Sequence, residues 1–165
     1  MTSLRWCAVV GDLAARDLAR AGWRALRVIE VPVSLVSGDR VMVVRVRRTV
    51  PVANALVLGT ADIRGIDDGP VLRLRHRVVA PTGHEPLIAA VPQLVARLGW
   101  TDARIRGLIG TIEILPAADF DRVEAVLHER ALAFGPPPKR DAHRRPRTPG
   151  RRPLATSRIR SRSRP

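Results

Sequence analysis

The chain has 165 residues and a formal net charge of +14, and aromatic residues make up 3% of it. This length suits one domain with a buried core, and Val, Leu, Ile and Ala must build most of that core. The single cysteine, Cys7, excludes an internal disulfide and a cysteine-based zinc site, and no apolar run reaches the ~18 residues of a membrane span. We therefore expect a cytoplasmic protein that has no membrane partner and holds Cys7 as a buried, inert thiol.

The positive charge is concentrated at the C-terminal end of the chain. Residues 1–135 contain 18 arginines and 14 acids, whereas residues 136–165 contain 11 of the 29 basic residues and one acid. The second segment begins with three prolines and has little apolar surface to offset the entropy cost of ordering. The sequence therefore predicts a single domain over residues 1–135 and a disordered Arg/Pro-rich tail over residues 136–165.

The first elements are a helix and two strands. A helix is predicted over residues 12–27, with Asp12 as its N-cap. Strands follow at residues 28–36 and 41–50, joined by the turn Ser37-Gly38-Asp39, and this short connection favours antiparallel pairing. The residues expected on the buried face of the helix are Leu13, Leu18 and Trp23.

Alternating strands fill the middle of the chain. Residues 55–63 and 71–80 predict two strands separated by a glycine-containing loop, and residues 87–91 predict a short apolar strand. Pro92 suits the first turn of a helix that ends at Leu98, because the missing N–H of proline has no helical partner at that position.

The last predicted elements are a strand over residues 105–115 and a helix over residues 119–134. The fold class is therefore α+β, with a mostly antiparallel sheet of five to six strands packed by two to three helices. The residues expected on the buried face of the last helix are Phe120, Val123, Leu127 and Ala131.

Two strands alternate arginine with aliphatic residues. They read Arg40-VMVVRVRRTV-Pro51 and Val71-LRLRHRVVA-Pro81, and neighbouring strands in matched register would place five arginines on one sheet face. That face is either solvated, as one face of an antiparallel sheet often is, or it binds phosphate or carboxylate. If helices cover it, the charges require an anion, because unpaired buried charge is too costly. The candidate ligand-binding residues are Arg73, Arg75, Arg77, Arg45 and Arg47.

Other kinds of site have weaker support. The arginine strands lack the aromatic residues on which single-stranded nucleic acid stacks, so nucleic acid is a candidate partner of the tail, through non-specific phosphate contacts. The histidines show no metal-ligand spacing, and no phosphate-binding glycine loop is present, so we expect no metal site and no cofactor. Catalytic residues are not identified. The tail residues expected to contact phosphates are Arg144, Arg145, Arg151, Arg152, Arg158 and Arg160.

The second arginine strand and its turn resemble a known hairpin. Leu72-RLRHRVVAPTGHEPLIAA resembles the hairpin of chorismate lyases and of the related UTRA effector domains of bacterial regulators. In that family the sheet helps enclose a pocket for a small, usually anionic ligand, and a strand arginine contacts a carboxylate. The resemblance implies this role for Arg75, by its distance from Gly83. The turn is one residue longer than the usual form, and Ala89-Ala90-Val91 does not match the acidic residue of the lyase.

The sequence therefore supports three hypotheses of function. The first is a domain that binds an anionic, carboxylated or phosphorylated small molecule through strand arginines, with or without lyase-type activity. The second is a nucleic-acid-associated protein that binds through its tail, and the third is a subunit-interaction module whose apolar strands pair with a partner. The sequence leaves the oligomeric state open.

Overall fold

A computed structural model describes residues 3–88, 95–96 and 99–135 of the chain. Within these ranges the fold is α+β, as predicted, with six strands and three α-helices. The strands are β1 (Arg5–Val10), β2 (Ala25–Arg27), β3 (Arg40–Arg45), β4 (Leu56–Asp67), β5 (Val71–Val79) and β6 (Ile112–Ile114). The helices are α1 (Asp12–Arg20), α2 (Asp102–Gly107) and α3 (Ala117–Phe134), and a 3-10 turn covers Val52–Asn54.

The sheet is mixed rather than mostly antiparallel, which corrects the prediction. Its strand order is β2-β5-β4-β3-β1-β6, and β1 pairs in parallel with β3. A parallel pair needs a long crossover connection, and here α1 and the segment after it provide that connection. The sheet also curls, so that Ile29 N, just after edge strand β2, donates to Gly110 O, just before edge strand β6, at 2.7 Å.

Each face of the sheet has its own hydrophobic core. One core lies on the side of α2 and α3, and it includes Phe120, Val123 and Leu127 with Ala131 packed against them, which confirms the predicted face of the last helix. The other core lies on the side of α1 and includes Leu18 and Trp23. Every residue of β1 from Trp6 to Val10 is buried between these two cores.

Several predicted elements differ from those observed. The helix predicted over residues 12–27 is shorter, because α1 ends at Arg20 and residues 25–27 form strand β2. Residues 28–36 do not form a strand, and within them Leu35 N closes a turn on the carbonyl oxygen of Pro32, a residue that has no N–H for a ladder. Residues 102–107 form helix α2, because Thr101 accepts a hydrogen bond from Arg104 N as its N-cap. Leu13, expected to be buried, is 72% exposed.

Three predictions concern residues that lie largely or wholly outside the described ranges. The strand over residues 87–91 and the helix over residues 92–98 lie largely outside them, and the tail over residues 136–165 lies wholly outside them. In the part of the chain that the structure describes, no helix has the length and apolar character needed to cross a membrane.

The turn between residues 37 and 39 is held by a buried carboxylate. Asp39 accepts hydrogen bonds from Leu4 N, Trp6 Nε1 and Val36 N at 2.8 to 3.1 Å. These bonds satisfy both oxygens of a side chain that belongs to a 2% exposed residue. Asp39 thereby ties the start of β1 to the start of β3, the two parallel strands.

Helix α1 ends where the backbone turns left-handed at Gly22 and Trp23, with φ of 59° and 61°. This turn directs the Trp23 indole toward β4, where Gly59 leaves room for it. A Cβ added at Gly59 would lie 2.5 Å from Val78 O and 2.7 Å from Trp23 Cη2. Glycine is therefore required at this position for close packing.

We expect Gly59→Ala to destabilise the fold by about 1–3 kcal/mol, because the added methyl group meets backbone as well as the indole. The matched control is Gly107→Ala, where an added Cβ meets nothing within 4 Å. The control should leave stability unchanged or raise it by up to about 1 kcal/mol, because alanine favours the helix. Urea denaturation measures both free energies of unfolding, and equal values for the two variants would contradict the packing at Gly59.

Candidate functional site

The five arginines predicted to share one face lie in two separate groups. Strands β3 and β5 are not neighbours, because β4 lies between them. Val44 and Val46 pack in the core beside α3, and the arginines that alternate with them, Arg45 and Arg47, ion-pair with Asp12 of α1. Arg77 of β5 instead ion-pairs with Glu124 of α3. The predicted single arginine face is therefore wrong.

Arg77 belongs to a set of side chains that we call the Glu124 network: Arg40, Thr60, Asp62, Arg77 and Glu124. Glu124 accepts hydrogen bonds from Thr60 Oγ1 at 2.8 Å and from Arg77 Nε at 2.9 Å. Arg77 Nη1 lies 3.4 Å from Asp62 Oδ1, and Arg40 Nη1 lies 3.7 Å from Glu124 Oε2. Arg64 Nη2 also lies 3.7 Å from Asp62 Oδ2, so three arginines in all contact the two carboxylates of this network.

A β-bulge in β5 places Arg77 within this network. His76 pairs with Ala61 and Val78 pairs with Thr60, so the ladder skips Arg77. Beyond the bulge, Val78 packs in the core beside α3, whereas Leu72 packs in the core beside α1. Without the extra residue, strict alternation would place Val78 and Leu72 on the same face of the strand.

Opposing effects set the protonation of Glu124. Burial opposes its ionisation, but the hydrogen bonds from Thr60 and Arg77 and the charges of Arg77 and Arg40 outweigh that effect and hold its pKa below the usual value. The hydrogen bond to Glu124 in turn raises the pKa of Arg77. Both groups are therefore charged at neutral pH, and Arg77 is the charged side chain with the largest effect on the pKa of Glu124, after the hydrogen bond from Thr60.

The other two arginines of β5 lie on open surface. Arg73 Nε contacts Asp67 Oδ1 at 2.9 Å, and its side chain is 60% exposed. Arg75 is exposed, and its Cα pairs with that of Asp62 across the ladder. The structure therefore does not bring Arg73, Arg75 and Arg77 together around one ligand-sized space.

A second group of arginines lies at the carboxyl end of β3, and we call it the basic cluster: Arg45, Arg47, Arg48 and Asp12. Asp12 Oδ1 lies 3.8 Å from Arg45 Nε and 3.4 Å from Arg47 Nε. In this cluster two arginines contact one carboxylate, and Arg48 lines the same cavity as Asp12. The sequence pointed to Arg45 and Arg47 but not to Arg48, which interrupts the alternation. Two consecutive arginines just after a strand, Arg47 and Arg48, were the feature of the sequence that could have indicated this cluster.

Arg47 and Arg48 line a cavity of about 410 Å³, which we call the basic cavity. Its walls come from the first turn of α1, the end of β3 and the turn before β6. Among the described residues that line it, Asp12 is the one acid. The described lining residues are Gly11, Asp12, Leu13, Val46, Arg47, Arg48, Thr49 and Ile109.

The carboxyl ends of β1 and β3 form this site because the two strands are parallel. β1 ends at Val10 and leads through Gly11 into α1, while β3 ends at Arg45, the Cα partner of Val10. The crevice outside the carboxyl ends of parallel strands is a common place for ligands in open sheets with helices. The partial positive charge at the N-terminus of α1 adds to the positive potential there.

Cys7 is fully buried, as predicted. Burial, with a smaller contribution from the charge of Glu113, raises the pKa of its thiol, so the reactive thiolate form is disfavoured. Across the described ranges, no group of three or more His, Cys, Asp and Glu side chains is arranged to hold a metal ion.

No protein-family model matches this chain, and no curated protein matches it in sequence.

We expect Glu124→Gln to destabilise the fold by about 1–2 kcal/mol at pH 7, because the partly buried Arg77 loses its charged acceptor. The control is Glu129→Gln, an exposed position on the same helix, which should change stability little. Because the pKa of Glu124 is lowered on folding, its contribution is present above the ordinary value of 4.5 and is lost as pH falls through the lower folded pKa. Urea titrations from pH 7 down to acid should show a smaller loss of stability in Glu124→Gln than in wild type. Parallel curves would contradict this role.

Proposed function

We propose that this domain binds a small anionic molecule, phosphorylated or carboxylated, in the basic cavity at the carboxyl ends of β1 and β3. The observation that carries the proposal is the excess of positive charge: Arg45, Arg47 and Arg48 are balanced within the cluster by Asp12 alone. The excess is smaller around the Glu124 network, where the three arginines Arg40, Arg64 and Arg77 meet the two carboxylates of Asp62 and Glu124.

Arg45 adds to the positive charge of the basic cluster but does not line the basic cavity. Its Nε atom is buried and has no hydrogen-bond partner among the described residues, since the 3.8 Å to Asp12 is too long for a hydrogen bond. A buried charged donor without an acceptor costs free energy, and such an atom in a native structure calls for an explanation. Because this atom has almost no accessible surface and Arg45 does not line the basic cavity, an anion in that cavity would interact with the charge of Arg45 and would not be the acceptor for Nε.

The basic cavity has dimensions that suit this class of ligand. Its volume of about 410 Å³ falls within the range typical of small-molecule sites. Arg47 and Arg48 can present planar guanidinium groups, which match phosphate and carboxylate with paired hydrogen bonds. The apolar residues Leu13, Val46 and Ile109 cover the remaining wall and allow an organic body beside the anionic group.

The proposal retains the ligand class expected from the sequence and shifts the binding residues. Arg45 and Arg47 remain, Arg48 joins them, and Arg75 is no longer the anchor. A chorismate-type carboxylate, the ligand class that the resemblance implies, remains a suitable probe beside inorganic phosphate.

We expect Arg47→Gln to weaken phosphate binding about fivefold, which corresponds to roughly 1 kcal/mol for a half-exposed ion pair. The control is Arg20→Gln at the opposite end of α1, which removes the same charge from a side chain that is 80% exposed. Isothermal titration at low salt measures both affinities, and the control should stay within twofold of wild type. Equal weakening by the two substitutions would mean that phosphate responds to net charge only, and the proposal would fail.

Asp12→Asn should have the opposite effect. The carboxylate of Asp12 competes with a bound anion for Arg45 and Arg47, so its removal should tighten phosphate binding by about threefold to tenfold. The same titration applies, with Asp17→Asn on the same helix as the control. Unchanged or weaker binding in Asp12→Asn would show that the anion does not occupy the cluster.

A further inference from the structure

A second cavity adjoins the basic cavity. It has a volume of about 480 Å³ and lies where the two edges of the curled sheet meet, so we call it the seam cavity. Leu13 lines both cavities, and the consecutive residues Ile109 and Gly110 line one each. A ligand that extends from the basic cavity past Leu13 would therefore enter the seam cavity.

The lining of the seam cavity is mostly apolar, whereas that of the basic cavity is charged. Alanine and branched aliphatic residues from α1, β2 and β5 form most of its wall, and among its described lining residues Asp17 and Arg27 carry the charge. Both of these residues are exposed, so they are positioned at the rim rather than in the apolar interior. The main aliphatic lining residues are Leu13, Leu18, Leu26, Val28, Ile29 and Val71.

Two large aliphatic side chains beside the seam cavity face water. Leu13 is 72% exposed and Ile29 is 69% exposed, although both line an apolar cavity. Leu13 occupies a position of α1 where the sequence pattern predicts burial. A ligand chain lying along the seam would cover this surface and remove it from water.

We propose that the ligand is a single-chain amphiphilic anion, with its phosphate or carboxylate in the basic cavity and its alkyl chain past Leu13 in the seam cavity. This proposal rests on the proposed function, since the basic cluster holds the head group. It adds the identity of the rest of the ligand: an unbranched apolar chain rather than a compact polar body. Two observations support this proposal: Leu13 lines both cavities, and the lining changes from cationic in the basic cavity to apolar in the seam cavity.

The test compares inorganic phosphate, butyl phosphate and octyl phosphate, each below its micelle concentration, by isothermal titration with the full chain. Affinity should rise with chain length by about threefold to fourfold for each methylene group that enters the cavity. Octanol, which has the chain but no anion, should bind much more weakly than octyl phosphate.

Ala25→Phe should fill the seam cavity and remove the advantage of octyl phosphate while leaving inorganic phosphate unaffected. Ala21→Phe, an exposed lining position, is the second variant in case the first one does not fold. Ala118→Phe, exposed on α3, is the control and should retain the preference for the longer chain.

The outcomes separate the two proposals. Equal affinity for all three phosphates would overturn the amphiphile and leave the anion site standing. No binding of any phosphate would overturn the anion site itself. Octanol binding as tightly as octyl phosphate, or binding to anionic phospholipid vesicles without binding to octyl phosphate, would overturn a free amphiphilic anion as the ligand.

Discussion

The hydrogen-bonded ion pair between Glu124 and Arg77 determines how charge is distributed over this sheet. Helix α3 covers the sheet and brings a carboxylate that is only 10% exposed against Thr60 and Arg77. A buried carboxylate needs partners of this kind, and a covered arginine needs an anion. Each satisfies the other, so the protein itself provides the anion that contacts Arg77, whose side chain is 33% exposed. Arg77 thereby has a structural partner within the protein.

The parallel pairing of β1 and β3 creates the crevice in which we propose the anion site. Asp39 holds the starts of these two strands together through Leu4, Trp6 and Val36. At their other ends, the chain leaves β1 for α1 and leaves β3 for a run that contains Arg47 and Arg48. The arginines at the end of β3 therefore lie against the first turn of α1, the helix that follows β1. Asp12 neutralises part of this charge, and the remainder is available to an anion.

Some of these elements could be predicted from the sequence, and the reasons are local. The last helix followed from Phe120, Val123 and Leu127 at helical spacing, and β5 followed from its alternation. Strand β1 was missed, because burial on both faces gives an unbroken apolar run without a period. The strand predicted over residues 28–36 is wrong, because this segment is a loop despite its apolar residues. Its first two N–H groups, those of Val28 and Ile29, donate to Pro70 O and Gly110 O.

The sequence predicted the kind of side chain at the candidate site, arginine, but not which arginines lie together. Alternation identified Arg45 and Arg47 as candidates, but strand order separates them from Arg73, Arg75 and Arg77, and no local pattern encodes strand order. The bulge at Arg77 depends on register with β4, which the sequence of β5 alone does not show. The seam cavity depends on the curl of the whole sheet, to which all six strands contribute.

The most direct test of the central claim is an NMR titration of the arginine Nε–Hε signals with inorganic phosphate at constant ionic strength. If the basic cluster is the anion site, the signals of Arg45, Arg47 and Arg48 shift together and saturate with one dissociation constant, while that of Arg77 stays in place. Saturable shifts at Arg73, Arg75 and Arg77, with none at the basic cluster, would contradict the claim.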